Sequence, residues 1–349
     1  MTSRNSIPAA VSHLINAGIA APSADNGQPW RFNWDGEFIR IYQRDTSGFG
    51  PDEHATLVSV GAVLENMAQA AQAMGGATVE SWGNQRGVHA VVRPDIPDLS
   101  STLSESGSDQ HALFKRHTNR LATKREVIPS DIIRRLEAIE ENGVSVVVFT
   151  KPADIRLTAN AMEQAAAIRF RVPEIHRILA DSLRFTPKEV ACGDGLDVAT
   201  LGLPPGSSWF LRWIRPWERM NRLNRFGLYR LMARLDSRRI ASAPAVAVIV
   251  GGKNAEDAIN GGKTLERAWI LACQAGLAVH PYYAVTDQIE RLRRNQLPKA
   301  VQGEAEELKT LVDGLPRIAG GQVHMVLRLA WPRRETPRSR RLPQSTLIV

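Results

Sequence analysis

Two stretches far apart in this chain repeat one pattern and limit the architectures open to it. Gly61-Ala62-Val63-Leu64-Glu65-Asn66 runs into Ala70-Ala71-Gln72-Ala73-Met74-Gly75; Gly262-Lys263-Thr264-Leu265-Glu266-Arg267 runs into Leu271-Ala272-Cys273-Gln274-Ala275-Gly276. Each reads as a G-x-x-L-E-x helix that closes in small residues and a glycine, the residue that most readily takes the left-handed turn ending a helix. Duplication accounts for the pair better than a chance likeness of two alanine-rich helices. A length of 349 residues accommodates two halves, at roughly 100–200 residues per domain.

The remaining pattern is mixed. Residues 8–20 predict a short amphipathic helix, and the apolar runs 31–34 and 38–42 around Asp35-Gly36 predict a hairpin with a two-residue turn. A helix over 54–74 and strands at 77–82 and 87–93 follow, then a Pro/Ser/Asp-rich linker over 94–109. Beyond it come a helix at 129–141, a strand Val144 to Phe149, helices through 152–184, a Gly/Pro-rich loop over 193–207 and a basic helical segment at 209–240. A strand Val246 to Val250, a helix at 254–275 and a strand Val323 to Leu329 complete the reading. Helices and strands that do not alternate regularly indicate an α+β fold. The expected halves are 1–105 and 106–349, the second carrying a helical insertion at about 152–240.

Charge is unevenly placed. Residues 1–115 carry −5 and the remainder +13, so the second part is suited to an anionic partner or is a solvated basic surface. Two cysteines, Cys192 and Cys273, cannot form a disulfide framework or a cysteine zinc site, and the eight histidines show no H-x-x-x-H or H-E-x-x-H spacing. No metal site is expected. The apolar residues near the N-terminus are interrupted by Ser12, His13 and Asn16, so no signal peptide is expected, and the longest apolar run is too short to cross a bilayer. These features lead to the expectation of a cytoplasmic protein. Gly262-Lys263-Thr264 lacks the earlier glycine of a phosphate-binding P-loop, since position 257 is Asp257.

Two segments carry chemistry. In Ala21-Pro22-Ser23-Ala24-Asp25-Asn26-Gly27-Gln28-Pro29-Trp30, a tight polar loop joins a helix to a strand, and Ser23, Asn26 and Gln28 offer donors and acceptors for the edge of a heterocycle. In Arg116-His117-Thr118-Asn119-Arg120, two guanidiniums and a hydroxyl at a loop-to-helix transition make a candidate phosphate clamp. No nucleophile–histidine–carboxylate set stands out, and no catalytic side chain is assigned.

The pattern Pro-Ser-x-x-Asn-x-Gln-Pro-Trp at 22–30 resembles the N-terminal signature of the FMN-dependent nitroreductase family. Arg116 to Arg120 resembles that family's Arg-x-Ser/Thr-x-Lys/Arg phosphate signature. The helix Leu265 to Gly276 with Leu277-Ala278-Val279-His280-Pro281 is similar to its late helix and flavin-contacting loop. Arg328-Leu329-Ala330-Trp331 with Arg338-Ser339-Arg340-Arg341 is similar to its terminal strand and basic tail. The clamp here follows the polar loop instead of preceding it, and Arg4-Asn5-Ser6 with Pro8 is the only remnant of a clamp in the first half. One composite site per chain results, which resembles the single-chain, pseudo-dimeric subgroup that includes mycobacterial dormancy flavoproteins.

The resemblance implies a nitroreductase-like fold and an FMN held by Pro22, Ser23, Ala24, Asn26, Gln28, Arg116, His117, Thr118, Arg120, His280, Pro281, Arg340 and Arg341. It implies hydride transfer through the flavin to a small organic acceptor, with NAD(P)H as candidate donor; the alternative is a flavin-sequestering protein. Neither nucleic acid nor a stably inserted membrane segment is expected as a partner, and monomer and dimer both stay open. Segment 209–240, with nine arginines and Trp209, Trp213 and Trp217, reads as a packed helical excursion, a lid over the flavin, or an interfacial or nucleic-acid-binding surface.

Overall fold

The computed structural model describes residues 7–46, 49–85, 87–100, 112–204, 206–318 and 320–349. Arg4-Asn5-Ser6 and residues 101–111, which include most of the expected linker 94–109, lie outside them. Strands Trp30–Trp34, Ile39–Gln43, Val88–Asp95 and Ala77–Gln85 pair antiparallel in that spatial order. Alternation sends Trp30, Phe32, Ile39 and Ile41 inward. There they meet Val11, Leu14 and Ile15 of the helix Ala9–Ile19 and Val63, Leu64 and Met67 of the helix His54–Ala73. Asp35 N–H donates to the Phe38 carbonyl at 3.3 Å, which leaves a two-residue turn at Gly36-Glu37, one residue later than Asp35-Gly36. Asp35 Oδ1 accepts from the backbone N–H groups of Glu37 (3.0 Å) and Phe38 (2.7 Å) and braces the turn.

The second sheet runs in the order Ala278–Tyr282, Gln322–Pro332, Ala245–Gly251, Val144–Phe149, Glu140–Glu141, all antiparallel. Its central strand is a continuous apolar run because both faces are covered. Val246, Val248 and Val250 face the helices Pro152–Arg169, Ala284–Arg293 and Lys299–Asp313. Ala245, Ala247 and Ile249 face the helices Ser130–Glu137 and Ala255–Gln274. The helix expected over 129–141 stops at Glu137 because Glu140 and Glu141 join the sheet edge. The segment after Leu277, expected as a loop, is the strand Ala278–Tyr282. It lies at a sheet edge, where Pro281 can sit without breaking a ladder.

The two rhyming helices, His54–Ala73 and Ala255–Gln274, cross with their glycines in contact. A β-carbon on Gly61 would run into the carbonyl oxygen of Ile259 and stand 2.9 Å from Gly262 Cα; one on Gly262 would run into the carbonyl oxygen of Val58 and stand 2.9 Å from Gly61 Cα. The contact is reciprocal, as at a two-fold interface. One turn on, Arg267 Nη2 donates to Glu65 Oε2 at 2.7 Å, and the Asn66 side chain lies against Glu266.

The excursion over 207–241 consists of helices Ser207–Ile214, Trp217–Asn224 and Leu228–Ala241, the first break falling at Pro216. Ile214, Met220 and Ala233 pack with Ala166 and Phe170 as a separate small core. Trp209 is 70% exposed. Residues beyond the last sheet strand cross back to the first half, where Val349 N–H donates to the Phe32 carbonyl at 2.9 Å.

Candidate functional site

The loop at 22–28 has an expensive backbone. Asp25, Asn26 and Gln28 all take left-handed φ angles of 49°, 57° and 51°, at a cost of order 1–3 kcal/mol each for non-glycine residues. Side chains hold it there. Ser23 Oγ accepts from Gln28 N–H at 2.9 Å. Gln28 is fully buried, its Nε2 donating to the Gly193 carbonyl at 2.9 Å and its Oε1 accepting from Leu342 N–H at 2.9 Å. Asn26 Nδ2 donates to the carbonyls of Gly195 (2.9 Å) and Arg340 (3.0 Å), and its Oδ1 accepts from Arg341.

These bonds correct two expectations. Gln28 does not face the cavity described below, and Asn26 borders it with its amide already spent on the chain. Both side chains staple three distant segments together. Arg340 also lies off the cavity and contributes its backbone carbonyl to Asn26.

The cavity has a volume of about 860 Å³ and is bordered by Pro22, Ser23 and Ala24 on the loop side. At one end, Arg116 Nε stands 2.6 Å from a Glu266 carboxylate oxygen, with the two side chains 2% and 0% exposed. The guanidinium also donates to the Ala20 carbonyl and lies 4.5 Å from the Trp269 ring. Arg341 lies near it, donating to the Ala21 carbonyl at 3.2 Å; His117 and Arg338 border the cavity beside Arg116, and Thr118 lines it as well. Burial pushes the Glu266 carboxyl up to about 7 even beside Arg116. Burial and the neighbouring Arg116 push Arg341 down to about 9. Two desolvated guanidiniums share one reluctant carboxylate, and an added anion would relieve both.

Pairing with the edge strand positions the other end. Thr118 bridges to Val279, Asn119 N–H donates to the Val279 carbonyl at 2.8 Å, and Arg328 clamps the segment by donating to the Asn119 carbonyl at 2.8 Å. Arg120 is thereby brought beside His280. Among the described residues Arg120 has no hydrogen-bond or ion-pair partner, and burial lowers its pKa against the pull of Asp25.

His280 is 6% and Tyr282 4% exposed; His280 Nδ1 and Tyr282 Oη have no hydrogen-bond partner. Burial holds His280 well below its ordinary pKa, with Arg120, Arg328 and Arg239 adding to the effect, so it is neutral. A buried polar atom without a partner costs about 1–3 kcal/mol, so this group marks where the polar edge of a ligand belongs. Pro281 borders the same space.

Sequence reasoning missed Tyr282, which shares a strand face with His280 at spacing two. The region 152–240, read from sequence as a packed excursion or a lid over the flavin, contributes Arg169, Leu203, Leu211, Asp236 and Arg239 to the cavity lining. Among the described residues no cluster of metal-ligating side chains occurs, and no helix is long and apolar enough to cross a membrane.

No protein-family model matches the chain. An uncharacterized protein of Mycobacterium tuberculosis (strain CDC 1551 / Oshkosh) is 27% identical over 288 residues, 78% of this chain; the match spans only 39% of that relative's length. Among solved structures, the chain is similar to the FMN-dependent nitroreductase NfnB from Mycobacterium smegmatis in complex with NADPH, with TM-score 0.39, 13% identity, and 67% of this chain and 95% of that one covered. It is similar to a BluB-like flavoprotein from Clostridium difficile 630, with TM-score 0.37, 12% identity and coverage of 69% and 97%. A nitroreductase with bound FMN from Bacteroides fragilis NCTC 9343 gives TM-score 0.34, 9% identity and coverage of 65% and 93%.

Proposed function

We propose that this chain binds one FMN in the cavity between the 22–26 loop, the 116–120 segment and the edge strand, and acts as an oxidoreductase of the nitroreductase type. One observation carries the reading: a half-buried arginine without an ion-pair partner and two orphaned buried polar atoms line a cavity that also takes in two guanidiniums set against a single carboxylate. A flavin mononucleotide has this shape of demand, a dianionic phosphate at one end and a ring with carbonyl and imide edges at the other.

Bound flavin would supply hydride transfer, the cofactor's own chemistry. The protein's residues bind and orient. Arg116, Arg338 and Arg341 with Thr118 take the phosphate, Arg120 and His280 take the ring edge, and Pro22 to Ala24 cover one side. A volume of 860 Å³ lies high in the ~300–1,000 Å³ range of small-molecule sites. It leaves space for a small organic acceptor beside the ring, which favours turnover over sequestration. NAD(P)H is the proposed donor and the cytoplasm the proposed compartment.

The reciprocal glycine contact supports reading residues 1–105 and 106–349 as two diverged copies that retain one composite site. The excursion at 152–240 supplies the far wall and restricts entry. Extraction and quantitation of flavin from the purified protein test the proposal. One FMN per chain is expected; two, or none after reconstitution, would overturn it. Anaerobic mixing of loaded protein with NADH or NADPH separates the enzyme, which bleaches rapidly, from a store, which does not.

A further inference from the structure

The same cavity is bordered by Tyr283, which follows Tyr282 in the chain and begins a line of three side chains leading into the protein. His54 Nδ1 lies 3.0 Å from Tyr283 Oη, and His54 Nε2 lies 2.9 Å from His324 Nδ1. The two imidazoles are parallel within 5° and the tyrosine ring within 19° of His54, so ring N–H bonds can lie in plane. The three come from separate elements: Tyr283 caps the helix Ala284–Arg293, His54 opens the helix His54–Ala73, and His324 sits in the long sheet strand. His324 is fully buried, and Gly251 and Gly261 make its room: β-carbons there would stand 3.0 Å from its Nε2 and 2.7 Å from its Cγ.

Burial holds both histidines neutral, His324 at about 4 and His54 well below its ordinary value, the latter with Arg293 and Arg294 adding to the effect. Each ring therefore carries one proton, and the line has only two consistent arrangements. In one, His324 Nε2 is bare; in the other, it is an N–H without an acceptor. His324 Nε2 has no partner, and a buried orphan donor is the rarer and costlier case. With Nε2 bare, His324 Nδ1–H donates to His54 Nε2, His54 Nδ1–H donates to Tyr283 Oη, and the tyrosine O–H is free to point into the cavity. Beyond Nε2 lies the Gly251-Gly252 backbone, against which the Asp257 carboxylate stands from the solvent side.

We propose that Tyr283, His54 and His324 form a hydrogen-bond relay that aims the Tyr283 proton at the acceptor bound in this cavity. The inference rests on the oxidoreductase reading above. An acceptor that takes up a hydride must also take up a proton. The Tyr283 O–H bond breaks and its proton goes to the acceptor's oxygen or nitrogen. The phenolate left behind keeps the His54 Nδ1–H bond, which His324 Nδ1–H supports by donating to His54 Nε2. Once the product leaves, the phenolate takes a proton from water in the cavity, with hydroxide released to the solvent, and neither imidazole changes tautomer. Tyr283 is the donor; the histidines are positioning residues that act through it.

Two measurements test the relay. Nitrogen-15 NMR of the full chain with labelled histidine, which needs no flavin turnover, should show both His54 and His324 protonated at Nδ1. Protonation at Nε2 in both would overturn the proposed direction. In single-turnover oxidation of dithionite-reduced, flavin-loaded protein, Tyr283→Phe should slow reaction with 4-nitrobenzoate by tenfold or more and reduce its solvent deuterium isotope effect.

Oxidation by ferricyanide, which takes electrons without a proton, should stay within twofold. General acids contribute roughly 10²–10⁴-fold to rate. His324→Gln should act in the same sense; should it fail to fold, Tyr283→Phe and the tautomers still decide. Equal slowing with both oxidants would mean a structural role, and no slowing with 4-nitrobenzoate would refute the relay while leaving the flavin reading intact. Failure to load flavin would instead strike the parent reading, with the NMR result still deciding the hydrogen-bond direction.

Discussion

Replacing Gly61 by alanine sets helix propensity against packing, and the structure fixes which wins. In an ordinary helix interior the change stabilises by about 1 kcal/mol. Here the new methyl would collide with the Ile259 carbonyl and stand 2.9 Å from Gly262 Cα, whereas carbon pairs prefer ~3.5–4.0 Å. The carbon pair alone would push the helices His54–Ala73 and Ala255–Gln274 apart by roughly 0.6–1.1 Å, and the nearer Ile259 carbonyl demands more, loosening Leu265 and Trp269, which pack beneath the second sheet. Overpacking of this kind costs typically ~1–3 kcal/mol, and a clash with backbone on both sides places Gly61→Ala at the upper end. Gly262→Ala should match it, and the double variant should cost less than the sum, since helices already parted accommodate the second methyl. Gly303→Ala is the control: it sits in the exposed interior of the helix Lys299–Asp313 with nothing near the added carbon, and should stabilise by about 0.5–1 kcal/mol. Urea unfolding followed by tryptophan fluorescence measures all four. Equal stability of Gly61→Ala and Gly303→Ala would refute the close crossing.

Arg120→Ala should weaken FMN binding roughly tenfold to a hundredfold, for the loss of a charge-assisted bond of ~1.5–3 kcal/mol; unchanged affinity by fluorescence titration would move the ring edge elsewhere. Gln28→Ala removes three side-chain hydrogen bonds, two of them buried, and should destabilise by about 2–4 kcal/mol, read as a lower urea midpoint and faster proteolysis within 333–349. Glu266 has a native pKa raised from 4.5 to about 7 by burial, so the native state holds its proton where the unfolded chain has lost it. Its contribution therefore makes stability fall as pH rises from about 4.5 to about 7 and level off above. Glu266→Gln should flatten that part of the profile, and an unaltered slope would place the titrating group elsewhere.

What the sequence disclosed and what it hid divide along sequence separation. The 22–30 loop is legible because Pro22, Gly27 and Pro29 punctuate it locally. The distant partners of Asn26 and Gln28 lie 165 to 315 residues away, so no local pattern shows that these amides serve the chain and not a ligand. The central strand Ala245–Gly251 announces itself as a buried run, whereas Pro281 disguises Ala278–Tyr282, since proline argues against a strand unless the edge position is known. The helix Ala284–Arg293 escaped because its apolar stripe is short, Val285 and Ile289, among charged residues that themselves turn out to be buried. Arg116 and Arg120 look alike in sequence; only packing reveals that one is held by Glu266 and the other is unpaired.

Asn26 waits for the Arg340 carbonyl, 314 residues further along the chain. During synthesis the first half can close its own sheet early, since domains tend to form from the N-terminus onward, but the 22–28 loop cannot be locked until residues 340–342 have emerged. Assembly of the proposed flavin site therefore follows the emergence of residues 340–342. A ribosome stalled before that point would present a half with its core in place and its left-handed loop unsupported, a species with the proposed site unformed and open to quality control.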